Sequence, residues 1–517
     1  MGGPFALMIL TIYNRIQYMH FLQTTYRIIL ACTFLMLAAS SCTDEAMNEL
    51  EPMTPSEPVG SSAFITLNIT APVQTRANTP EGGENGDGSL PDETYEDKIE
   101  NVVVFFYKTA KEENFDQAAT NGATIQAVAH FEELTRNGDQ SKFTTETKEV
   151  KLKDGTYRML VVANLPTSAA LPQAEASLSE LGQYVYHSLP WTCNNSSYSR
   201  FIMSSQKEKT ITLEAKTTSE DRPLDISGIE LQRLAARIDF MPTQNNQYTT
   251  TDGNFDITVK GIKIINRMVS GSFLLKHTAT DIANGSYTTL GEETENAKKA
   301  TNYVVDPWSS GKTLQHYKDG ENAGGYKYLY EDRIEDGCNW TEDDNIKETN
   351  AYYRLGYVLE NTTDKDSQLC GYSTGVMIKA VGIPRKYIND EGKEKENNTV
   401  CDFCTYNNKV YKDRKALKAV TSIEEKDFED KGVKEYKDGV MYYPYFIRHC
   451  YNGTTSNAIM EFAIVRNNVY QLQINSFSSP GNTEDVVDPE TPSKETLVVI
   501  GTSIRPWKQL EDENIIM

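Results

Sequence analysis

From Ala63 onward the side chains alternate: Ile65, Leu67 and Ile69 are apolar, and Thr66, Asn68 and Thr70 lie between and after them. That period of two marks a β-strand with one buried face. Pro72 ends the run, and Thr75-Arg76-Ala77 follows. Residues 78–98 are rich in Gly and acidic side chains, which predicts a long loop and leaves Arg76, at its start, open to proteases. Residues 99–107, Ile-Glu-Asn-Val-Val-Val-Phe-Phe-Tyr, predict the next strand, and 149–152, 157–163 and 210–215 predict more. Together they suffice for a sandwich of short strands over 63–220.

The cadence then recurs. Residues 229–240 are followed by 255–266, with apolar positions at Ile257, Val259, Ile262 and Ile264, and this predicts a second β-sandwich beginning near Asp225. One continuous large β domain is the alternative. Two polar stretches, roughly 309–350 and 389–439, form insertions that decorate the second sandwich. Within the latter, 415–430 has a helix-forming composition with a charged face. Strands are expected again at 458–464, 469–477 and 496–504, the last two separated by an acidic, Pro-containing loop at 479–494. After Trp507 the chain closes with the short tail 508–517.

The beginning of the chain follows a different pattern. Residues 28–41, Ile-Ile-Leu-Ala-Cys-Thr-Phe-Leu-Met-Leu-Ala-Ala-Ser-Ser, are a short apolar core behind Arg27 that ends in small residues directly before Cys42. The core is too short to span a bilayer comfortably, so a cleaved export signal is expected over residues 1–41 in place of a membrane helix. Small Ala39, Ser40 and Ser41 let a peptidase groove close on the backbone beside the cysteine. The arrangement resembles a bacterial lipobox, in which that cysteine is acylated and becomes the first residue of the exported chain. Met19 is the more natural start, with 1–18 an upstream extension. Residues 43–62, acidic and without apolar period, form a flexible tether.

Composition narrows the function classes. A chain of 517 residues exceeds what one core usually serves, so two domains are the default. A formal charge of −22 repels nucleic acid and anionic lipid, which leaves the lipid on the precursor as the one route to a membrane. The 29 tyrosines and short apolar runs punctuated by Gly, Asn and Asp favour β structure over helical bundles.

Of eight cysteines, Cys32 leaves with the signal and Cys42 is acylated; among the rest only Cys401 and Cys404 are close, so no disulfide framework is evident. That pair could form a local disulfide, hold metal with distant ligands or do redox work. No second pair or nearby His completes a zinc set, and no βαβ pattern supports a thioredoxin-like site. Asp252, Asn254 and Asp256 do not continue as an EF-hand loop. Ser204-Ser205-Gln206-Lys207 has the Ser-x-x-Lys spacing of acylating enzymes without its companion elements. No catalytic residue, cofactor or metal site is expected, and hence no enzyme.

Several segments become recognisable together: the lipobox at Cys42, Pro72-Val73-Gln74-Thr75-Arg76-Ala77, residues 99–107, Gly155-Thr156-Tyr157 through Ala163-Asn164-Leu165-Pro166, residues 231–238, Tyr357-Val358-Leu359-Glu360-Asn361-Thr362, and Ala463-Ile464-Val465-Arg466-Asn467-Asn468-Val469-Tyr470. In this order they resemble the major-subunit fimbrillin family of Bacteroidales, the type V pilins, and within it the short (minor) fimbria branch. The resemblance covers nearly the whole exported chain.

It implies a mainly β protein of two transthyretin-like (Ig-like) antiparallel β-sandwich domains, at 77–225 and 226–507, with polar insertions in the second. It implies export as an outer-membrane lipoprotein, palmitoylated at Cys42, and cleavage between Arg76 and Ala77 by an arginine-specific protease. Residues 42–76, with the strand of Ile65, Leu67 and Ile69, would then be removed. The tail 508–517 would donate Leu510, Ile515 and Met517 to the next subunit, although Glu511, Asp512 and Glu513 interrupt clean alternation and leave the register open.

The implied product is a surface fimbria, with partners in copies of itself, anchor and tip subunits, and a host or bacterial surface ligand. A tip adhesin or anchor subunit, or a monomeric glycan-binding lipoprotein that uses its Tyr residues with Trp191, Trp308 and Trp340, are the competing functions.

Overall fold

The computed structural model describes residues 62–71 and, with interruptions, 96–506; the longest interruptions are 183–192, 269–327, 330–340, 343–351 and 450–460. Cys42, Arg76, Ala77, Leu510, Ile515 and Met517 therefore lie outside the described residues, as do Met19, the tether and most of the insertion expected at 309–350.

The described residues are mostly β, as the alternation predicts. The first strand, Ser62–Thr70, belongs to a ten-stranded arrangement in which two sets of strands face each other across one core. Ile65, Leu67 and Ile69 lie on one side of that core, and Val102, Val104, Phe106, Met159 and Val161 on the other. The run at 102–107 is apolar at every position because both of its faces are covered. Val103, Phe105 and Tyr107 pack outward against two short helices, Phe115–Thr120 and Leu178–Gly182. That strand begins only at Val102, because the residues before it are tied by side chains: the Asn164 amide oxygen accepts from the Glu100 N–H at 2.8 Å, and its nitrogen donates to the Lys98 carbonyl at 2.7 Å.

The run at 229–240 is two strands, Leu224–Arg233 and Ala235–Met241, broken at Leu234, whose N–H donates to Ile202 at 3.0 Å. Asp225, where a boundary was expected, thus falls inside a strand that pairs with the first one, and the chain passes to the next sheet nine residues later, at Leu234. Beyond it, a four-stranded sheet built on Ala235–Met241, Tyr353–Leu359, Asn468–Phe477 and Val498–Pro506 faces a sheet built on Phe255–Ile265, Gly375–Pro384 and Val440–Phe446. Ile238, Phe240, Ile257, Val259, Ile378, Met441, Tyr470 and Leu472 fill the second core between them. Most ladders are antiparallel, but Ser62–Thr70 runs parallel to Leu224–Arg233, Ala235–Met241 to Asn468–Phe477, and Lys386–Ile388 to Lys409–Tyr411.

The insertion at 389–439 folds around its own small core of Cys404, Tyr411, Ala416, Leu417 and Phe428. Its helix is shorter than the composition suggested. Arg414–Thr421 starts where the Asp413 carboxylate accepts the Ala416 N–H at 2.8 Å and stops at Ser422, in the left-handed region at φ 62°. The strand expected at 458–464 does not form among the described residues: Glu461 and Phe462 lie in a turn, and Ile464 makes a single bridge with Asn361.

Candidate functional site: an interior strand and the junction beside it

Along Ser62–Thr70 every second side chain is buried, and Ala63, Ile65, Leu67 and Ile69 are at most 1% exposed. Both edges of the strand are hydrogen-bonded. One side runs parallel to Leu224–Arg233, with Ile65 opposite Leu224 and Ile69 opposite Ile229. On the other, its first half pairs with Lys148–Lys151 and its second with Lys142–Thr145, and the Leu67 N–H donates to the Thr145 hydroxyl at 3.0 Å. It is therefore an interior strand at the extreme start of the described chain, and residues 72–95 separate it in sequence from everything it packs on. Withdrawing it would open a groove with an apolar floor and two rows of unpaired backbone groups, a state that water or another strand must relieve.

Next to this groove lies a cluster of charge that strand periodicity does not announce. In Ala235–Met241 the even positions Ala236, Ile238 and Phe240 enter the second core, which turns Arg237 and Asp239 to the opposite face. That face is buried too. Arg237 Nε donates to Asp239 at 2.7 Å and its Nη1 lies 3.4 Å from Glu96. The Tyr357 hydroxyl donates to the same Glu96 carboxylate, and Arg233 Nε donates to the Glu96 carbonyl at 2.7 Å. Burial works against both guanidinium charges. Asp239 and Glu96 outweigh it for Arg237, whose pKa is raised, whereas Arg233 falls to about 10 despite Glu96.

A further buried pair sits on the turn of the Ile-Val-Arg-Asn-Asn block. Arg466 Nε donates to Glu360 at 2.6 Å and Nη1 to the Ser204 hydroxyl at 3.3 Å, while Asn467, at φ 59°, donates its N–H to Ala235. The Tyr470 hydroxyl takes the Val465 N–H at 2.9 Å and meets His449 Nδ1 at 2.8 Å. Segments far apart in sequence, 231–238, 357–361 and 464–470, thus converge on one junction between the two cores.

The other residues singled out from sequence are placed in structural roles. Ser204 is a buried strand residue committed to Arg466, and Lys207 lies outside the described residues. Cys401 and Cys404 are both free thiols. Burial, with Glu435 nearby, pushes the Cys404 thiol up to about 12, and burial also raises Cys401. Asp252 closes its own turn, accepting from the Thr250 hydroxyl at 2.6 Å and the Asn254 N–H at 3.0 Å. No group of carboxylates, Cys and His suited to a metal occurs among the described residues.

Among solved structures, the fimbrilin FimA of Porphyromonas gingivalis W83 is 16% identical over 87% of this chain and 99% of its own, at a TM-score of 0.41. The tip fimbrial protein Mfa3 of P. gingivalis, with a C-terminal truncation, is 11% identical over 86% and 99%, at 0.31. The fimbrial anchor protein Mfa2 of P. gingivalis is 10% identical over 85% and 97%, at 0.28. No curated protein matches. The family model "Major fimbrial subunit protein (FimA)" matches residues 63–260, and "Major fimbrial subunit protein type IV, Fimbrillin, C-terminal" matches residues 434–513, together more than half of the chain. The first match begins inside the first strand and extends past the junction strand Ala235–Met241; the second takes in Asn468–Phe477 and Val498–Pro506.

Proposed function

Because the chain belongs to the family of major fimbrial subunit proteins, we propose that it is a shaft subunit whose copies join by exchanging strands. It is a structural protein of a cell-surface fimbria and not an enzyme. In the proposed scheme, belonging to the short-fimbria branch, a lipid on Cys42 holds the precursor at the outer membrane. An arginine-specific protease then cuts between Arg76 and Ala77. The Ser62–Thr70 strand, no longer tethered, leaves, and the tail of another copy enters with Leu510, Ile515 and Met517 as groove-filling side chains. Each contact is head to tail and does not close on itself, so a filament grows and ends on separate anchor and tip subunits.

The observation that supports this most directly is the position of the first strand: hydrogen-bonded on both edges, inward row fully buried, yet linked to the rest of the chain only through the segment that carries Arg76. A strand so placed holds the fold closed before cleavage and vacates a complete binding site after it. The test is the N-terminal residue of protein taken from surface filaments, together with the Arg76→Ala variant. Ala77 at the terminus, and monomer without filaments from the variant, are expected. Filaments that begin at Cys42, or wild-type polymer from Arg76→Ala, would refute maturation.

A further inference from the structure

Val440–Phe446 is an edge strand of its sheet, and the described residues of the segment 478–497 lie against it. The loop is pinned at both arms. Asn482 and Tyr442 exchange both backbone hydrogen bonds, at 2.7 and 2.8 Å, and Gly481 fits so closely that a Cβ there would stand 2.5 Å from the Tyr442 carbonyl oxygen. The Tyr436 hydroxyl donates to the Gly481 carbonyl at 2.9 Å. At the other arm the Cys370 N–H donates to Thr491 at 2.7 Å, the Ser493 N–H to Gln368 at 2.9 Å, and the Ser493 hydroxyl lies 2.8 Å from that of Ser373.

Between the arms is a cavity of about 620 Å³, the size of a small-molecule site. Tyr442, Phe446 and Cys370, members of a small apolar cluster of their own, line it together with Pro444. Its polar lining is mixed: Lys434, the Asn482 amide, the Thr483 and Thr491 hydroxyls, and the Glu484 and Asp488 carboxylates.

We propose that this cavity binds a short neutral oligosaccharide. The partly exposed ring of Tyr442 offers flat apolar surface to the C–H face of a sugar, and the carboxylates, amide and hydroxyls of the lining match a ligand that donates and accepts at every ring position. Two carboxylates against one ammonium disfavour a phosphate, sulfate or acidic sugar. The frame that holds the loop is made by backbone and buried groups and not by the lining side chains, so the site is formed before a ligand arrives. The inference goes beyond the assembly reading: the cavity is lined by Cys370, Lys434, residues of Val440–Phe446 and residues between Asn482 and Leu497, and none of these belongs to the first strand.

The test uses the purified, unpolymerised full chain against an array of neutral di- and trisaccharides built on glucose, galactose, mannose and N-acetylglucosamine, with the hits titrated by ligand-observed NMR. At least one neutral saccharide should bind, and Tyr442→Ala and Glu484→Gln should each weaken it tenfold or more. Glu484 is exposed, so its variant should fold and polymerise as the parent does, which separates this result from any failure of filament assembly. Absence of saccharide binding at millimolar concentration, binding unchanged in both variants, or preferential binding of an oligolysine probe to the same cavity would each overturn the proposal.

Discussion

Replacing Leu67 by Ala tests how tightly the first strand is held and whether its release controls assembly. Leu67 is fully buried in the first core, between Ile65 and Ile69 on the same face. Truncating such a residue removes its transfer energy and leaves a cavity, a loss of ~2–5 kcal/mol. In the uncut precursor that loss should appear directly as a lower urea midpoint.

In the proposed scheme, cleavage at Arg76 makes the strand a separate ligand, and the same loss should weaken its hold between about thirtyfold and several thousandfold, at about 1.4 kcal/mol per factor of ten. The assay is to cut purified precursor with an arginine-specific protease and follow two signals: separation of the excised segment by gel filtration, and filament growth by light scattering. Both should accelerate in Leu67→Ala. Thr66→Ala is the control. Its side chain points outward and meets the Thr147 hydroxyl at 3.0 Å, so its effect should stay near ~1 kcal/mol. The reasoning fails if Leu67→Ala costs under about 1 kcal/mol in the precursor. It fails equally if the full loss is present and release is no faster.

Other outcomes can be checked alongside. A chain ending at Trp507 should fold, accept a donor strand and yet fail to extend a filament; fibres of normal length would exclude the tail as donor. Glu96→Ala removes the carboxylate that pairs with Arg237 and whose charge supports Arg233, though it keeps the carbonyl that Arg233 bonds, and a loss of ~3–5 kcal/mol is expected by denaturant unfolding, with Arg466→Met similar through Glu360. A loss under about 1 kcal/mol in both would show that these charges are solvated in the folded chain. With the Cys404 thiol pushed up to about 12 and Cys401 also raised, neither should be labelled by a maleimide at pH 8 at the rate of a solvent-exposed thiol, whereas both should be in urea. Peptide mapping gives the extent, and fast labelling of Cys404 in the native chain would contradict its burial.

The first strand was legible in the sequence because it shows one face to a core and one outward, and Ile65, Leu67 and Ile69 alternate cleanly with polar residues. Nothing in that period revealed its partners, since the parallel pairing with Leu224–Arg233 joins residues more than 150 positions apart. The break at Leu234 was hidden for a related reason. Residues 229–240 are apolar enough to read as one strand, and which core each residue enters is settled by long-range packing. A charge on alternate strand positions normally faces water, so the period of Ala235–Met241 hides the burial of Arg237 and Asp239. Their face is covered by Glu96 and Tyr357, 141 positions before and 120 after Arg237, and a charged Arg-x-Asp set in an otherwise apolar strand was the one local sign of it. The saccharide cavity had still less signal, because its lining is drawn from several separate stretches of chain.

The break at Leu234 also has a mechanical meaning. In a filament built as proposed, the incoming strand would lie beside Leu224–Arg233, which continues through one residue into Ala235–Met241. From Arg237 to Met241 that strand is paired with Asn468–Phe477, which pairs in turn with Val498–Pro506, the strand that leads into the tail. Tension applied along the fibre would thus enter each subunit at the groove and leave at the tail through four strands, Leu224–Arg233, Ala235–Met241, Asn468–Phe477 and Val498–Pro506, and the single-residue link at Leu234. The load would run along the ladders, where many hydrogen bonds must shear together, and the insertion at 389–439 would hang outside the line of force.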